Sequence, residues 1–233
     1  MKEIYFIRHG ESIANKYGIS AGQSYNISLS NKGRLESHYT GSYLLNHHIE
    51  KKFDLIISSN LRRAEATAEI INCYLNINHK TTDLINEINQ GLKEGTKKDL
   101  YSKKYFKKLK ETDPIILVKN YKNLDQDNFD YNYNIYDYKK EFRKDIKIRI
   151  EKFLEYLNNL EQKKIIIVTH GGFLLSLFSY LKKSYIEHDH LVSKFIPTYI
   201  KKVDNCSISY IKLIDNDFKI LLWGSIWHLK SLK

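Results

Sequence analysis

Short runs of β-branched and aromatic residues alternate along the chain with longer stretches whose apolar positions recur at helical spacing. That alternation marks a layered α/β domain, in which strands are buried beneath amphipathic helices. The strand candidates are Glu3–Ile7, Asp54–Ser58, Lys164–Thr169, Cys206–Leu213 and Phe218–Trp223, with Thr82–Ile85 as a short strand-like run. Ile165-Ile166-Ile167-Val168 is apolar throughout, as a strand covered on both faces must be. Helices are expected over Asn31–Asn46, Leu61–Tyr74, Tyr138–Leu160 and Gly172–Lys182, and Ser30 stands where the first of them needs an N-cap. The expected architecture is a three-layer α/β/α sandwich with a mostly parallel central sheet and an inserted helical lid. No internal repeat and no Pro/Gly/Ser linker divides the chain, so residues 1–233 read as one domain.

The stretch from about 96 to 137 breaks the pattern. Lys97, Lys98, Lys103, Lys104, Lys107, Lys108 and Lys110 form a basic block expected to be helical, and Asp125, Asp127, Asp130 and Asp137 follow in a segment rich in Tyr and Asn. Inside an α/β domain such a stretch reads as a lid over one face. The alternative is a solvated insertion with no part in chemistry.

Composition narrows the class. A chain of 233 residues builds a full core without staples. Cys73 and Cys206 lie far apart and suggest neither a disulfide framework nor a zinc site. No apolar run reaches the roughly 18 residues of a membrane span, and Arg8 and Glu11 interrupt any signal-peptide core. A soluble, cytoplasmic protein is expected. The net charge of +11, from 38 Lys and Arg against 27 Asp and Glu, is ambiguous. Nucleic acid or membrane phosphates bind such a surface electrostatically. Yet only six of the 38 are Arg, and abundant Ile, Asn and Tyr accompany the Lys, as an A/T-rich coding sequence would produce. A solvated Lys-rich face, with neither nucleic acid nor membrane as partner, is the better reading; oligomeric state is not legible.

The chemistry-bearing residues fall at strand ends. The first strand runs into Arg8-His9-Gly10-Glu11-Ser12, the second into Ser58-Ser59-Asn60-Leu61-Arg62-Arg63, and the buried Ile/Val run into Thr169-His170-Gly171-Gly172. Ligands of open α/β sheets sit outside the carboxyl ends of the strands, so Arg8, His9, Arg63 and His170 are expected to converge. A phosphoryl group is what such a cluster suits. Arg forks bind its oxygens bidentately and keep their charge, and a neutral imidazole can attack phosphorus to form a covalent intermediate. A second, protonated imidazole stabilises the equatorial oxygens. The leaving alkoxide needs a proton, and Glu87, in a loop with Gly91 and Gly95, is the candidate donor. His188-Asp189-His190 reads as a polar surface loop, and no metal or other cofactor is expected.

These motifs resemble those of the histidine phosphatase superfamily, the phosphoglycerate mutase-like group. Its opening signature stands as Arg8-His9-Gly10-Glu11-Ser12 with Asn15 at the matching offset, and Leu29-Ser30-Asn31-Lys32-Gly33 matches the next stretch. Ser59-Asn60-Leu61-Arg62-Arg63-Ala64-Glu65-Ala66-Thr67-Ala68 matches a further one and selects Arg63 over Arg62. The segment from Ile85 through Glu87, Gly91 and Gly95, and Thr169-His170-Gly171, complete the set; Glu141, Asp145, Arg149, Phe153 and Asn205-Cys206-Ser207-Ile208 are weaker echoes. The resemblance runs from residue 3 to about 215. It implies that His9 is the nucleophile, that Arg8, Arg63 and His170 cradle the phosphoryl group, and that Glu87 serves as acid, then base. It further implies substrate contacts at Asn15, Ser12, Gly22, Gly171 and Lys98, and no metal.

The superfamily contains phosphatases acting on phosphomonoesters and mutases that depend on 2,3-bisphosphoglycerate. The mutases carry an Arg pair and a Tyr after the acid Glu, and an Asn directly after the second His-Gly. Here Gln90 stands three after Glu87, no Arg occurs between Arg63 and Arg143, and Gly172 replaces that Asn. A phosphatase acting on small phosphorylated metabolites is therefore favoured, with a mutase as the alternative. A non-catalytic phosphate-binding protein is the third reading, against which stands the retention of His9, Arg8, Arg63, Glu87 and His170 together.

Overall fold

The computed structural model describes residues 1–47, 52–97, 141, 143–188, 203–214 and 217–232. Along the chain these form β1 (Lys2–Arg8), α1 (Ile13–Lys16), α2 (Asn31–His47), β2 (Leu55–Ser59), α3 (Arg62–Leu75), β3 (Asn78–Thr82), α4 (Arg143–Asn159), β4 (Lys164–Thr169), α5 (Gly171–His188), β5 (Ile208–Ile214) and β6 (Asp217–Ser225). Short 3₁₀ turns lie at Asp83–Ile85, Gly91–Lys93 and Trp227–Leu232.

One sheet of six strands runs in the order β3-β2-β4-β1-β5-β6. β3, β2, β4 and β1 are parallel to their neighbours, and β5 and β6 complete the sheet antiparallel. The period-two alternation of β1 divides its side chains between two cores. Ile4 and Phe6 join Ile165 and Ile167 against Ile146, Ile150 and Phe153 of α4 and Phe173, Leu174 and Leu177 of α5. Tyr5 and Ile7 join Ile166 and Val168 against Leu44 of α2 and Ala64, Ala68 and Ile71 of α3. This is the expected three-layer arrangement, and it explains why β4 is apolar from Ile165 to Val168: both of its faces are covered.

Several boundaries differ from expectation: the helix expected from Tyr138 starts at Arg143, and the strand expected from Cys206 starts at Ile208, because Cys206 sits in a turn at φ of +51°. The run Thr82–Ile85 is the end of β3 followed by a 3₁₀ turn, because the Thr82 hydroxyl accepts from the Leu84 N–H at 3.3 Å and turns the chain out of the sheet. β3 itself has no apolar alternation; it is an edge strand, held by its register with β2. α5 continues past Lys182 to His188. The lid expected at 96–137, its Lys block included, lies outside the described residues except for Thr96 and Lys97. Residues 138–140, 142, 189 and 190 lie outside them too. No helix among the described residues is long and apolar enough to cross a membrane.

Ser30 caps α2 as expected, accepting from the Gly33 N–H at 3.1 Å while its hydroxyl donates to Glu11 Oε1 at 2.8 Å. Gly33 serves a second purpose. A Cβ there would lie 2.0 Å from the Glu11 carbonyl oxygen, and one on Gly10 would lie 2.4 Å from the Gly33 carbonyl oxygen. The loop leaving β1 thus lies directly on the first turn of α2, backbone against backbone. Gly33→Ala is expected to destabilise the fold by about 3 kcal/mol, since neither backbone can yield without moving the other; urea denaturation measures it, and an unchanged midpoint would refute the interlock.

Candidate active site

The carboxyl ends of β1, β2 and β4 bring His9, Arg63 and His170 together. His9 leaves β1 and is 2% exposed, and its ring centroid lies 5.0 Å from that of His170. Its Nδ1 contacts the Gly10 carbonyl oxygen at 2.7 Å. A carbonyl only accepts, so Nδ1 carries the proton and Nε2 keeps its lone pair. Burial, then the Arg63 and Arg8 charges, hold the His9 pKa well below the ordinary value and keep the ring neutral.

His170 is fully buried at the end of β4. Its Nε2 lies 2.8 Å from Ser59 Oγ, whose own proton goes to Asn86 Oδ1 at 2.6 Å. Ser59 therefore accepts from His170, and Nδ1 is the ring nitrogen left over. Burial first, then Arg63, His9 and Arg8, lower its pKa as well. That Nδ1 has no hydrogen-bond partner among the described residues, and neither does Arg8 Nε nor Arg63 Nη1; all three are buried. Buried polar atoms are rarely left so. Two are guanidinium N–H donors, and the third, His170 Nδ1, becomes a donor once the ring is protonated, so together they form the recognition surface of an anion with several acceptor oxygens.

Each arginine is anchored by its other nitrogens. Arg63, at the start of α3, is 1% exposed, and its Nη2 donates to the Gly22 carbonyl at 2.7 Å. Burial lowers its pKa to about 10, with Glu87 and Glu94 opposing, so it stays charged at neutral pH. Arg62 is exposed, as the choice between the two required. One turn on, the Thr67 hydroxyl donates to the Arg63 carbonyl and accepts the Gly10 N–H at 3.0 Å, tying α3 to the His9 loop. Arg8 Nη1 donates to the Val203 carbonyl, and Gly171 leaves room beside it: a Cβ there would lie 3.3 Å from Arg8 Nε.

Glu87 stands at the first turn of α5. Its Oε1 accepts from the Phe173 N–H at 3.2 Å and the Ile88 N–H at 2.8 Å, and its Oε2 from the Gly172 N–H at 3.3 Å. Its charge acts on both Arg8 and Arg63. A Cβ on Gly172 would fall 2.4 Å from Oε1, so the carboxylate occupies the space a side chain at 172 would need.

The outer contacts are more mixed. Ser12 is fully buried, and its hydroxyl and backbone close a capping box with Asn15 at the start of α1. The Ser12 hydroxyl, expected to contact substrate, is engaged with Asn15 in this cap. Asn15 Oδ1 accepts from the Ser12 N–H, the Ser12 hydroxyl and Asn205 Nδ2, which leaves the amide Nδ2 with both protons to donate. Gly22 takes part through its carbonyl to Arg63. Lys98 lies outside the described residues.

Sequence reasoning missed four contributors. Ser59 and Asn86 orient His170, and Asn205 Nδ2 holds the His9 carbonyl at 2.9 Å. Glu94, 6% exposed, accepts the Ser24 N–H at 2.6 Å and the Gln90 N–H at 2.7 Å and so joins the two loops beside Arg63. Ser59 and Asn205 both stood within quoted motifs; a polar residue flanking a catalytic one was the available signal.

A family model, the histidine phosphatase superfamily (branch 1), matches residues 4–226. The chain belongs to that superfamily. Among curated relatives it is similar to the probable fructose-2,6-bisphosphatase TIGAR A of Danio rerio, 42% identical over 65 residues, which are 28% of this chain and 24% of that protein. It is also similar to the uncharacterized phosphatase PhoE of Bacillus subtilis, 32% identical over 105 residues, or 45% of this chain and 52% of the other. The chain thus spans about half or less of the length of the curated relatives it matches. Among solved structures, Bacillus stearothermophilus YhfR superposes with a TM-score of 0.68 at 22% identity, covering 99% of this chain and 100% of that one. That likeness carries the fold.

Proposed function

We propose that the protein is a phosphomonoester hydrolase that passes the phosphoryl group through His9 to water. The observation that carries this is the convergence of three unpartnered buried nitrogens, Arg8 Nε, Arg63 Nη1 and His170 Nδ1, around an imidazole whose Nε2 holds a free lone pair. The His9 Nε2 pair attacks phosphorus as the ester P–O bond breaks, and Glu87, which takes up a proton when the anionic ester binds, gives that proton to the departing oxygen. Glu87, now a carboxylate, takes a proton from water while the water oxygen attacks phosphorus and the P–N bond breaks. Phosphate leaves, and both residues return to their starting states. Through both steps the guanidiniums and His170 bear the charge that develops on the equatorial oxygens. Asn15 Nδ2 adds a neutral donor at the rim.

The same geometry favours water over a second substrate position as acceptor. Glu87 lies against Gly172, which stands where the mutases carry Asn, and Gln90 stands in the segment where they carry an Arg pair and a Tyr, so this chain lacks residues that hold a mutase's second anionic group. Small phosphorylated metabolites in the cytoplasm are the substrates this reading implies. The names of the relatives, a probable fructose-2,6-bisphosphatase and a phosphatase, agree with it. The test is incubation with a panel of phosphorylated metabolites, with and without 2,3-bisphosphoglycerate, reading free phosphate and isomer ratio. Phosphate release without isomerisation is expected; isomerisation dependent on the bisphosphate would make the enzyme a mutase, and neither product would leave a phosphate-binding protein.

A further inference from the structure

Glu87 lies in an irregular stretch between two 3₁₀ turns, Asp83–Ile85 and Gly91–Lys93. A loop so built does not aim a carboxyl group unaided, because its backbone has no ladder to hold it. The support comes from α4. Arg149 Nη1 donates to the carbonyls of Leu84 at 3.1 Å and Asn86 at 2.7 Å. Its Nε and Nη2 each donate to one oxygen of Glu141, both at 2.8 Å. Glu141 in turn grips the far side of the loop: its Oε2 accepts the Asn89 N–H at 3.2 Å, and its own N–H donates to the Asn89 carbonyl at 2.9 Å. The loop is therefore clamped on both sides of Glu87, at 84 and 86 and again at 89.

The guanidinium also lies over the Phe173 ring, 5.3 Å from its centroid, and the Phe173 N–H is one of the donors to Glu87 Oε1. The same side chain thus touches the loop that carries the carboxylate and the helix turn that receives it. Both partners are largely shielded, with side chains 15% and 12% exposed, so the geometry is held more firmly than in a surface pair. A lysine supplies donors from a single point and cannot fork to Glu141 and the two carbonyls together.

We propose that Arg149, braced by Glu141, is the positioning residue that aims the Glu87 carboxyl at the leaving oxygen. The inference rests on the reading of Glu87 as acid. Its consequence depends on the leaving group: a phenolate of ordinary basicity needs the proton, whereas 2,4-dinitrophenolate departs without one. Arg149 also holds Asn86, which receives the Ser59 proton beside His170. Damage to His170 would slow all esters alike, since it acts on the phosphoryl oxygens common to them.

The experiment compares kcat/KM, which reports the step that forms phosphohistidine, for phenyl phosphate and 2,4-dinitrophenyl phosphate. Arg149→Met is expected to lower it about 100-fold for the first and less than about 5-fold for the second. Glu141→Gln, which leaves the carbonyl bonds of Arg149 in place, is expected to show the same bias more weakly, and it carries the test if Arg149→Met does not fold. Equal losses on both esters, or no loss, in variants of an active wild type would overturn the clamp alone. A wild type inactive on both esters, or a His9→Ala variant as active as wild type, would overturn the proposed function and the clamp with it.

Discussion

His9→Ala is expected to lower phosphate release by at least about 10⁴-fold while leaving inorganic phosphate binding measurable. The two effects separate because different atoms carry them. The attacking lone pair belongs to His9 Nε2, the ring nitrogen left free by the contact of Nδ1 with the Gly10 carbonyl. The anion contacts belong to Arg8, Arg63 and His170, whose anchors at Val203, Gly22 and Ser59 do not involve the His9 ring. Rapid-quench labelling with a radioactive phosphoryl donor gives an acid-labile, base-stable adduct in wild type and none in the variant. Turnover above about 1% of wild type in His9→Ala would place the nucleophile elsewhere.

Stability is expected to fall steeply as pH drops below about 6.5. His9, His170 and His228 are all held below the ordinary histidine pKa, each chiefly by burial, and His228 is lowered to about 4. In the unfolded chain these rings protonate near pH 6.5, while in the folded protein they stay neutral. The unfolded state then binds more protons, so stability rises with pH across this window and is lost on acidification. Each ring contributes a slope approaching about 1.4 kcal/mol per pH unit. Glu36 and Glu94 act in the opposite sense, since burial raises their pKa values and the folded state there holds the extra proton. Three histidines outweigh them. Urea unfolding at pH 7.5, 6.5 and 5.5 should show the loss, and His228→Asn should reduce the slope by about one ring's share. A flat profile would contradict the neutral pair at the site.

Saturating phosphate works against this loss. A phosphoryl oxygen beside His170 Nδ1 favours the protonated ring, so phosphate binding near pH 7 should take up a proton, read by calorimetry in buffers of different ionisation enthalpy.

The central sheet and its helices were legible because their hydrophobic patterns are strong: the apolar runs Ile4–Ile7 of β1 and Ile165–Val168 of β4 and the apolar stripe of α4 each have one structural meaning. β3 was not. Asn78-His79-Lys80-Thr81-Thr82 is an edge strand with exposed or half-exposed positions throughout, so nothing in its polarity marks the pairing with β2. The core of the site was legible for a different reason. Arg8, His9 and His170 stand at strand ends with Gly10 or Gly171 close behind, and Arg63 opens the helix that follows β2. The capping role of Ser12 was not legible, because cap and ligand contact call for the same residue type. Asn86, Glu94, Asn205, and the anchoring by Arg149 of the acid loop, depend on contacts between segments distant in sequence, which no local pattern encodes. Cys206 adds another: its N–H donates to the Arg8 carbonyl at 3.0 Å from a backbone with φ of +51°.

β1 lies in the middle of the sheet, yet both of its neighbours come from far along the chain: Ile4 pairs with Ile165 on one side and Ile211 on the other. During synthesis the apolar Ile4-Tyr5-Phe6-Ile7 leaves the ribosome with no strand to pair with until some 160 further residues have followed. It must wait as an unpaired, aggregation-prone edge, in a fold whose defining contacts are distant and therefore slow to form. His9, at the tip of that strand, acquires its surroundings only when β4 and the loop before β5 have docked. Chains released early from translation would therefore be inert as well as sticky, and the finished site is a record of complete folding.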